Sequence, residues 1–521
     1  MALVRHRAFA LVVAAFVLGL ALVASPARAA EASIAIDPQS GPPTTTVAVT
    51  GQGFGASETV QIRFGPVPVG SATTDPSGAF STTIQIPASA RPGQTQVKAR
   101  GSTSGLTAQA PFTVRTNWPH FRFDDDHTGV NPYENVLSTR NVPRMQLDWQ
   151  VQLGEPVYSS SPAVVDGVVY IGSSEGSLWA LDANGCGSDF CTDSIWRGDL
   201  GAQTLSSPTV ANGYVYIDSQ TSFSNNDGKL DVFSVDGCGG SVCQPLWKGL
   251  AGDSSGLESS PAVTADSAYV ASYDGHLYVF DALGCGHALC QPAWRASLGA
   301  PSDSSPVVHE GVVYVGSTDG NLYAFDANGC GQSECLPMWK GSVGPASIFQ
   351  ESPAISDGVV YIASQKKLGA FTAAGCGQAT CQPLWTADAG NLFFDGSPAV
   401  YRERVFIPFE EFIAVFDATG CGQSKCSPLY LDFAGGTVAS IRSSPAIANG
   451  VVYVGRNTAE VLAFKAAGCG HSTCGPIWTG DTNDVIVDSS PTVVNGKLYI
   501  GSADQFFPTD ISGRLYVFDV P

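Results

Sequence analysis

Apolar and polar residues alternate along this chain in short runs, and no helical period is readable. Between residues 31 and 116 the runs include Ile34-Ala35-Ile36, Val47-Ala48-Val49, Val60-Gln61-Ile62, Thr83-Ile84-Gln85-Ile86 and Phe112-Thr113-Val114. Gly and Pro clusters separate them. Period-two runs about ten residues apart predict a small β-sandwich. From residue 117 onward a longer phrase repeats. It reads Ser-Pro, a short apolar strand, a turn, a second strand ending near Gly-Ser, a turn, then Leu-Tyr-x-Phe-Asp. Its prolines are Pro162, Pro208, Pro261, Pro306, Pro353, Pro398, Pro445 and Pro491, spaced by 46, 53, 45, 47, 45, 47 and 46 residues.

Each repeat supplies three strands, then a cysteine loop, then a fourth strand. The fourth strands open on Trp196, Trp247, Trp294, Trp339, Trp385, Tyr430 and Trp478. Four strands at this period predict a β-propeller. There are eight three-strand sets but seven fourth strands after cysteine loops. The missing strand is available upstream, as Leu147-Asp148-Trp149-Gln150-Val151-Gln152-Leu153. The expected fold is therefore all-β: an eight-bladed propeller closed by an N-terminal strand, preceded by a small immunoglobulin-like β-sandwich. Closure of this kind removes two open sheet edges. The expected organisation is a signal peptide at 1–29, the sandwich at 31–116, a linker or entry segment at 117–146 and the propeller at 147–521.

The N-terminus alters the compartment. Arg5 and Arg7 precede an apolar run from Ala8 to Ala24, which ends on Ala27-Arg28-Ala29. A charged start, an apolar centre and a small-x-small site read as a secretory signal. Removing it takes away three arginines and no acid, leaving 23 basic against 46 acidic residues. Such a balance argues against nucleic acid, whose phosphates need Lys and Arg. Charged residues make up 14% of the chain, against about 25% in an average protein. No second run of spanning length follows, so no membrane span is expected after signal removal. The expected location is secreted, extracellular or cell-surface associated.

The repeat also resembles a known family. Ala324-Phe325-Asp326-Ala327…Trp339 and Ala180-Leu181-Asp182…Trp196 resemble the tryptophan-docking motif of quinoprotein-type (PQQ-like) β-propeller repeats. Val279-Phe280-Asp281 and Val415-Phe416-Asp417 keep part of it. The leader Trp118-Pro119…Asp124…His127-Thr128-Gly129…Asn131-Pro132 is similar to the entry of such propellers. In the sandwich, Asp37-Pro38-Gln39-Ser40-Gly41-Pro42 and Val49-Thr50-Gly51-Gln52-Gly53-Phe54 resemble IPT/TIG domains, which are immunoglobulin-like and mostly spacers or interaction modules.

All fourteen cysteines fall into C-x4-C pairs: Cys186/Cys191, Cys238/Cys243, Cys285/Cys290, Cys330/Cys335, Cys376/Cys381, Cys421/Cys426 and Cys469/Cys474. Thiolate metal sites need four converging ligands, and these pairs lie one repeat apart. An exported chain with an even count favours seven local disulfides. All seven are expected in loops that rim one face.

Strand direction sorts the loops by face. The crossovers before each Ser-Pro approach the central channel on the face opposite the cysteine loops. They carry Tyr158, Glu258, Asp303, Phe349, Glu351, Phe394, Asp395, Arg442 and Asp488, an acidic mouth with aromatics and one arginine. This is the candidate ligand site, since loops on a rigid scaffold carry binding. The length variation on this face lies at Ser219 to Gly228 and Ser502 to Gly513.

No catalytic residue is assigned. Gly172-Ser173-Ser174-Glu175-Gly176 and Gly252-Asp253-Ser254-Ser255-Gly256 fit the GxSxG hydrolase word, but that nucleophile needs a strand-to-helix turn. Asp124-Asp125-Asp126-His127 offers oxygen ligands for Ca²⁺ or a capped turn. Two functions compete. One is an exported, non-enzymatic propeller that needs no cofactor and binds a protein, glycan or small polar ligand. The other, implied by the resemblance, is a pyrroloquinoline-quinone-dependent dehydrogenase of alcohols or sugars with Ca²⁺. The adjacent-Cys disulfide and the long insertions of those enzymes are missing here. A scaffold like the outer-membrane-assembly propeller is a third reading, although its lipid-attachment Cys is absent.

Overall fold

The computed structural model describes residues 31–220, 228–252, 256–344, 351–390, 392–435, 440–503 and 513–521. The expected signal segment, Phe349 and most of the two long loops lie outside them. The described chain falls into two compact units.

The smaller unit takes in Val47–Ile84 and Gln96–Pro111. The sandwich strands form a three-stranded and a five-stranded sheet. Alternation sets the buried side: Val47 and Val49, then Val60, Ile62 and Phe64, are all buried. Glu58 is buried too, but its carboxylate accepts from the Gly55 and Ser104 amides at 2.7 Å and from Thr103 at 2.8 Å. The Ser104 hydroxyl and these amides hold its pKa down at about 2.

The larger unit includes Phe112–Pro521. Eight sheets among its described residues follow one plan. In the fourth repeat the strands are Val307–His309, Val312–Gly316, Asn321–Asp326 and Trp339–Ser342, paired antiparallel in order. Both faces of each sheet pack on neighbours, so the central strands read as near-continuous apolar runs, as in Val313, Tyr314 and Val315.

The last sheet is completed by an upstream strand, as expected. Gln146–Gln152 pairs antiparallel with the last strand, Gly513–Asp519, placing Trp149 opposite Val517. Trp149 then takes the place that Trp294 and its equivalents hold elsewhere. Trp294 packs under Gly329 of the next cysteine loop, whose φ is +76° and whose added Cβ would lie 2.8 Å from the Trp294 Nε1. Only glycine suits that backbone and that approach. Gly185 sits over Trp149 in the same way.

All seven predicted pairs are disulfides: Cys186–Cys191, Cys238–Cys243, Cys285–Cys290, Cys330–Cys335, Cys376–Cys381, Cys421–Cys426 and Cys469–Cys474, with Cα–Cα distances of 5.6–5.7 Å. The two halves of each pair differ in burial. The first cysteines are exposed. The second ones, Cys191, Cys243, Cys290, Cys335, Cys381, Cys426 and Cys474, are buried, and none of the fourteen lines the channel cavity described below. The physical reason is that each second cysteine reaches back to the previous sheet. Cys191 pairs parallel with Val151, Cys243 with Gly198, Cys290 with Gly249, Cys335 with Ala296, Cys381 with Gly341 and Cys474 with Asp432. The Cys426 amide donates to the Thr386 carbonyl at 2.8 Å. Burying an uncharged, polarizable sulfur at that edge is favourable. The disulfide loop is thus a hook over the neighbour's outer strand, and Phe190–Cys191 hooks the closing strand itself. The last sheet has no such loop because its fourth strand comes from upstream. That is why seven pairs serve eight sheets.

Two further circuits run across the sheet boundaries. Tyrosines of the second strands donate to the next unit's alanine carbonyl: Tyr269 to Ala327 at 2.9 Å, Tyr314 to Ala373 at 2.8 Å, and Tyr499 across the seam to Ala183 at 3.0 Å. The second circuit is made by the Ser-Pro words. The Ser161 amide donates to the Ser207 Oγ, and so on through Ser260, Ser305, Ser352, Ser397, Ser444 and Ser490, whose amide returns to the Ser161 Oγ. These eight bonds measure 2.8–3.2 Å. Proline suits the next position because the innermost strand is an edge and needs no donor there.

Candidate functional site

The serine circuit surrounds a cavity of about 310 Å³ at the channel centre. Six of the nine nominated residues line it: Glu258, Asp303, Glu351, Asp395, Arg442 and Asp488. They stand on successive crossovers, one or two residues before the circuit serines, so the repeat geometry turns residues far apart in sequence into neighbours. Phe349 falls outside the described residues. Tyr158 is 39% exposed and is not in the lining; its carbonyl accepts from the Asp488 amide at 2.9 Å. Phe394 is turned into the protein, 1% exposed and 5.3 Å from the Phe409 ring. Burial of its large apolar ring explains that direction better than a role at the mouth.

The carboxylates are crowded. Asp303 is 8% exposed and its Oδ1 has no hydrogen-bond partner. Burial, and then the nearby Glu258 charge, push its pKa to about 8. Burial raises Asp395 as well, against the pull of Arg442. Asp488 is raised to about 6 by burial, with Arg442 opposing. Arg442 is the one Lys or Arg in the described lining, and its Nε lies 3.7 Å from the Asp488 Oδ1.

The leader closes the other end of the cavity. Trp118 exchanges backbone hydrogen bonds with Val164 at 2.7 and 2.9 Å. The Pro119 carbonyl then accepts from the Val210 amide, Asp126 from Ile355, Thr128 from Val400 and Gly129 from Ile447, at 2.7–3.0 Å. Each partner is a residue of an innermost strand. Phe121 projects into the cavity lining from this segment. The expectation of a linker or entry segment did not foresee this plug. Its signal was present in the buried-type residues Trp118, Phe123 and Leu137.

The acidic word in the leader spreads to separate partners. Asp124 accepts from the Thr128 amide at 2.8 Å and its hydroxyl at 2.6 Å, closing a turn. Asp126 meets His309 Nδ1 at 2.6 Å, and Asp125 meets His120 Nε2 at 3.2 Å. Among the described residues, no three Asp, Glu, His or Cys side chains are grouped to hold a metal ion. Gly172 to Gly176 forms a strand-to-strand turn between Val168–Ser173 and Ser177–Asp182. That geometry supplies no nucleophile elbow. The second GxSxG word includes residues 253–255, outside the described ones.

Comparison with known proteins bears on the family. Residues 146–285, 244–333 and 291–520 match the family model described as outer membrane protein assembly factor BamB. Residues 30–114 match a macroglobulin-like domain model, in keeping with an immunoglobulin-like sandwich. Among solved structures, the chain is similar to BamB from Moraxella catarrhalis, at 14% identity over 71% of this chain and 97% of that one, with a TM-score of 0.51. It is also similar to the quinohemoprotein alcohol dehydrogenase from Comamonas testosteroni, at 12% identity over 78% and 80%, with a TM-score of 0.56. A computationally designed protein, Ika8, gives 13% identity over 71% and 99%, with a TM-score of 0.50. These identities establish the fold and leave activity open. No curated protein matches the chain.

Proposed function

The chain belongs to the propeller family described as outer membrane protein assembly factor BamB, and from that premise we propose an exported, non-enzymatic binding protein that holds a partner or polar ligand at its acidic channel mouth. The observation that carries the reading is the cavity: five carboxylates, each on its own crossover, ringed by serines and closed behind by the leader. A family described as an assembly factor for outer membrane proteins favours a protein as the partner. Seven disulfides with no free cysteine among the described residues favour an oxidising compartment. Among the same residues, no helix is long and apolar enough to cross a membrane.

The quinone reading fits this cavity poorly. Pyrroloquinoline quinone is a tricarboxylate, and here it would face Glu258, Asp303, Glu351, Asp395 and Asp488 with a single arginine already beside Asp488. Like charges at short range in a poorly solvated cavity repel strongly. The described residues group no metal ligands, and every cysteine pair is five residues apart rather than adjacent.

A dye-reduction assay decides between the two readings. The protein is incubated with the quinone and Ca²⁺, then offered alcohols and sugars. We expect no turnover above the quinone-only control. Saturable, protein-dependent dye reduction would overturn the non-enzymatic reading.

A further inference from the structure

Most buried polar groups in folded proteins find a partner. The leader's Asp124 and the sandwich's Glu58 do so. Asp303 differs. It is more than nine-tenths buried, lines the cavity, and keeps an unpartnered Oδ1. Around it stand Glu258, Glu351, Asp395 and Asp488, each from a different crossover. A buried carboxylate aimed into a cavity of the same charge asks for a positive ligand.

The kind of cation follows from the spacing. Because no three carboxylates converge among the described residues, the set does not chelate one metal ion. It is distributed around a ring. Distributed charge suits donors carried on a flexible chain. Phe121 and Leu205 supply an apolar wall along which methylene groups can lie. The ring of Phe121 also offers a face to an ammonium group. The serine hydroxyls of Ser207, Ser260, Ser305, Ser397, Ser444 and Ser490 border the same space and can accept N–H donors. The one cationic side chain an anion would find in the described lining is Arg442, which Asp488 already faces.

Resting on the binding reading above, we propose that this cavity receives alkylammonium groups, carried either by lysine side chains of a partner or by a free polyamine, with Asp303 as the principal contact. Binding ionises a carboxyl that otherwise holds its proton to about pH 8 under burial and the Glu258 charge. Glu351, Asp395, Asp488 and Arg442 face the same space. A proton is therefore released as the ammonium enters. Affinity rises as the pH climbs from about 6.5 towards 8.5.

Calorimetric titration of the purified full chain tests this with three probes: spermidine, a short acetylated lysine peptide, and citrate as the anionic control. Saturable binding is expected for spermidine or the lysine peptide, and which of them binds identifies the source. Asp303→Asn and Asp488→Asn should each weaken it by about tenfold or more, with thermal unfolding verifying the fold. Binding should tighten several-fold between pH 6.5 and 8.5, with proton release seen as a buffer-dependent heat. Binding of neither amine, binding unchanged in both variants, or preference for citrate would overturn the proposal. If both amines fail while partner capture still depends on the mouth residues, the ligand class is wrong and the binding reading survives. If capture fails as well, both fall.

Discussion

Trp149→Ala should destabilise the larger unit by about 3–5 kcal/mol, the usual cost of removing a buried tryptophan. The effect belongs to ring closure rather than to local packing alone. Trp149 is 3% exposed and stands in the upstream strand that completes the last sheet. It packs under Gly185 of the first cysteine loop, whose Phe190–Cys191 segment hooks the same strand. The substitution therefore loosens the seam from two sides. Gln150→Ala, one residue along and only half-buried, should stay within about 0.5 kcal/mol of the parent. Urea unfolding of the two variants measures the difference. Equal, small effects would mean that this strand does not close the ring.

Asp432→Ala should act in the opposite direction, and only above acidic pH. Asp432 occupies the third position of a fourth strand, where other repeats carry Gly198, Gly249, Ala296, Gly341, Ala387 and Gly480. It is fully buried, and neither carboxyl oxygen has a hydrogen-bond partner. Burial raises its pKa from 3.8 to about 7. A raised carboxyl pKa means that the fold prefers the proton. The group costs nothing extra below about pH 4, and the cost grows as pH rises to about 7. Three pH units correspond to about 4 kcal/mol, an upper figure because local relaxation and water reduce it. Urea unfolding at pH 8 should show Asp432→Ala more stable than the parent by about 2–4 kcal/mol. At pH 4 the two should agree within about 1 kcal/mol. A destabilised variant at pH 8 would show that Asp432 has a favourable role in the fold.

Much of this architecture was legible because its physics is periodic. The Ser-Pro words repeat the innermost edge strand and the serine that bonds its neighbour. The cysteine pairs repeat the hook, although spacing alone did not reveal that Cys243, Cys290 and their equivalents are buried against the preceding sheet. Counting both exposes the missing fourth strand and its replacement around Trp149. Candidate site residues were legible to the extent that crossovers must converge on the channel, which brought Glu258, Asp303, Glu351, Asp395, Arg442 and Asp488 together. Phe394 shows the limit of that logic. Position on a crossover does not fix side-chain direction, and an aromatic ring goes where it can be buried. The plug was harder still. Residues 117–131 have no period, and they are tied by a few scattered hydrogen bonds to innermost strands up to several hundred residues away. Asp432 was invisible for a different reason. An Asp in a short strand reads as surface until the register puts it opposite Ile413 inside the sheet.

The acidic mouth carries the proposed function, and partner capture from the native cell surface tests it most directly. Immobilised parent protein and a Glu258→Gln/Asp303→Asn/Asp488→Asn variant, matched for thermal stability, are exposed to the same surface extract. A partner should be retained by the parent and lost, by at least about tenfold, from the variant. Equal retention by both would contradict a binding role for the mouth and move recognition away from the channel.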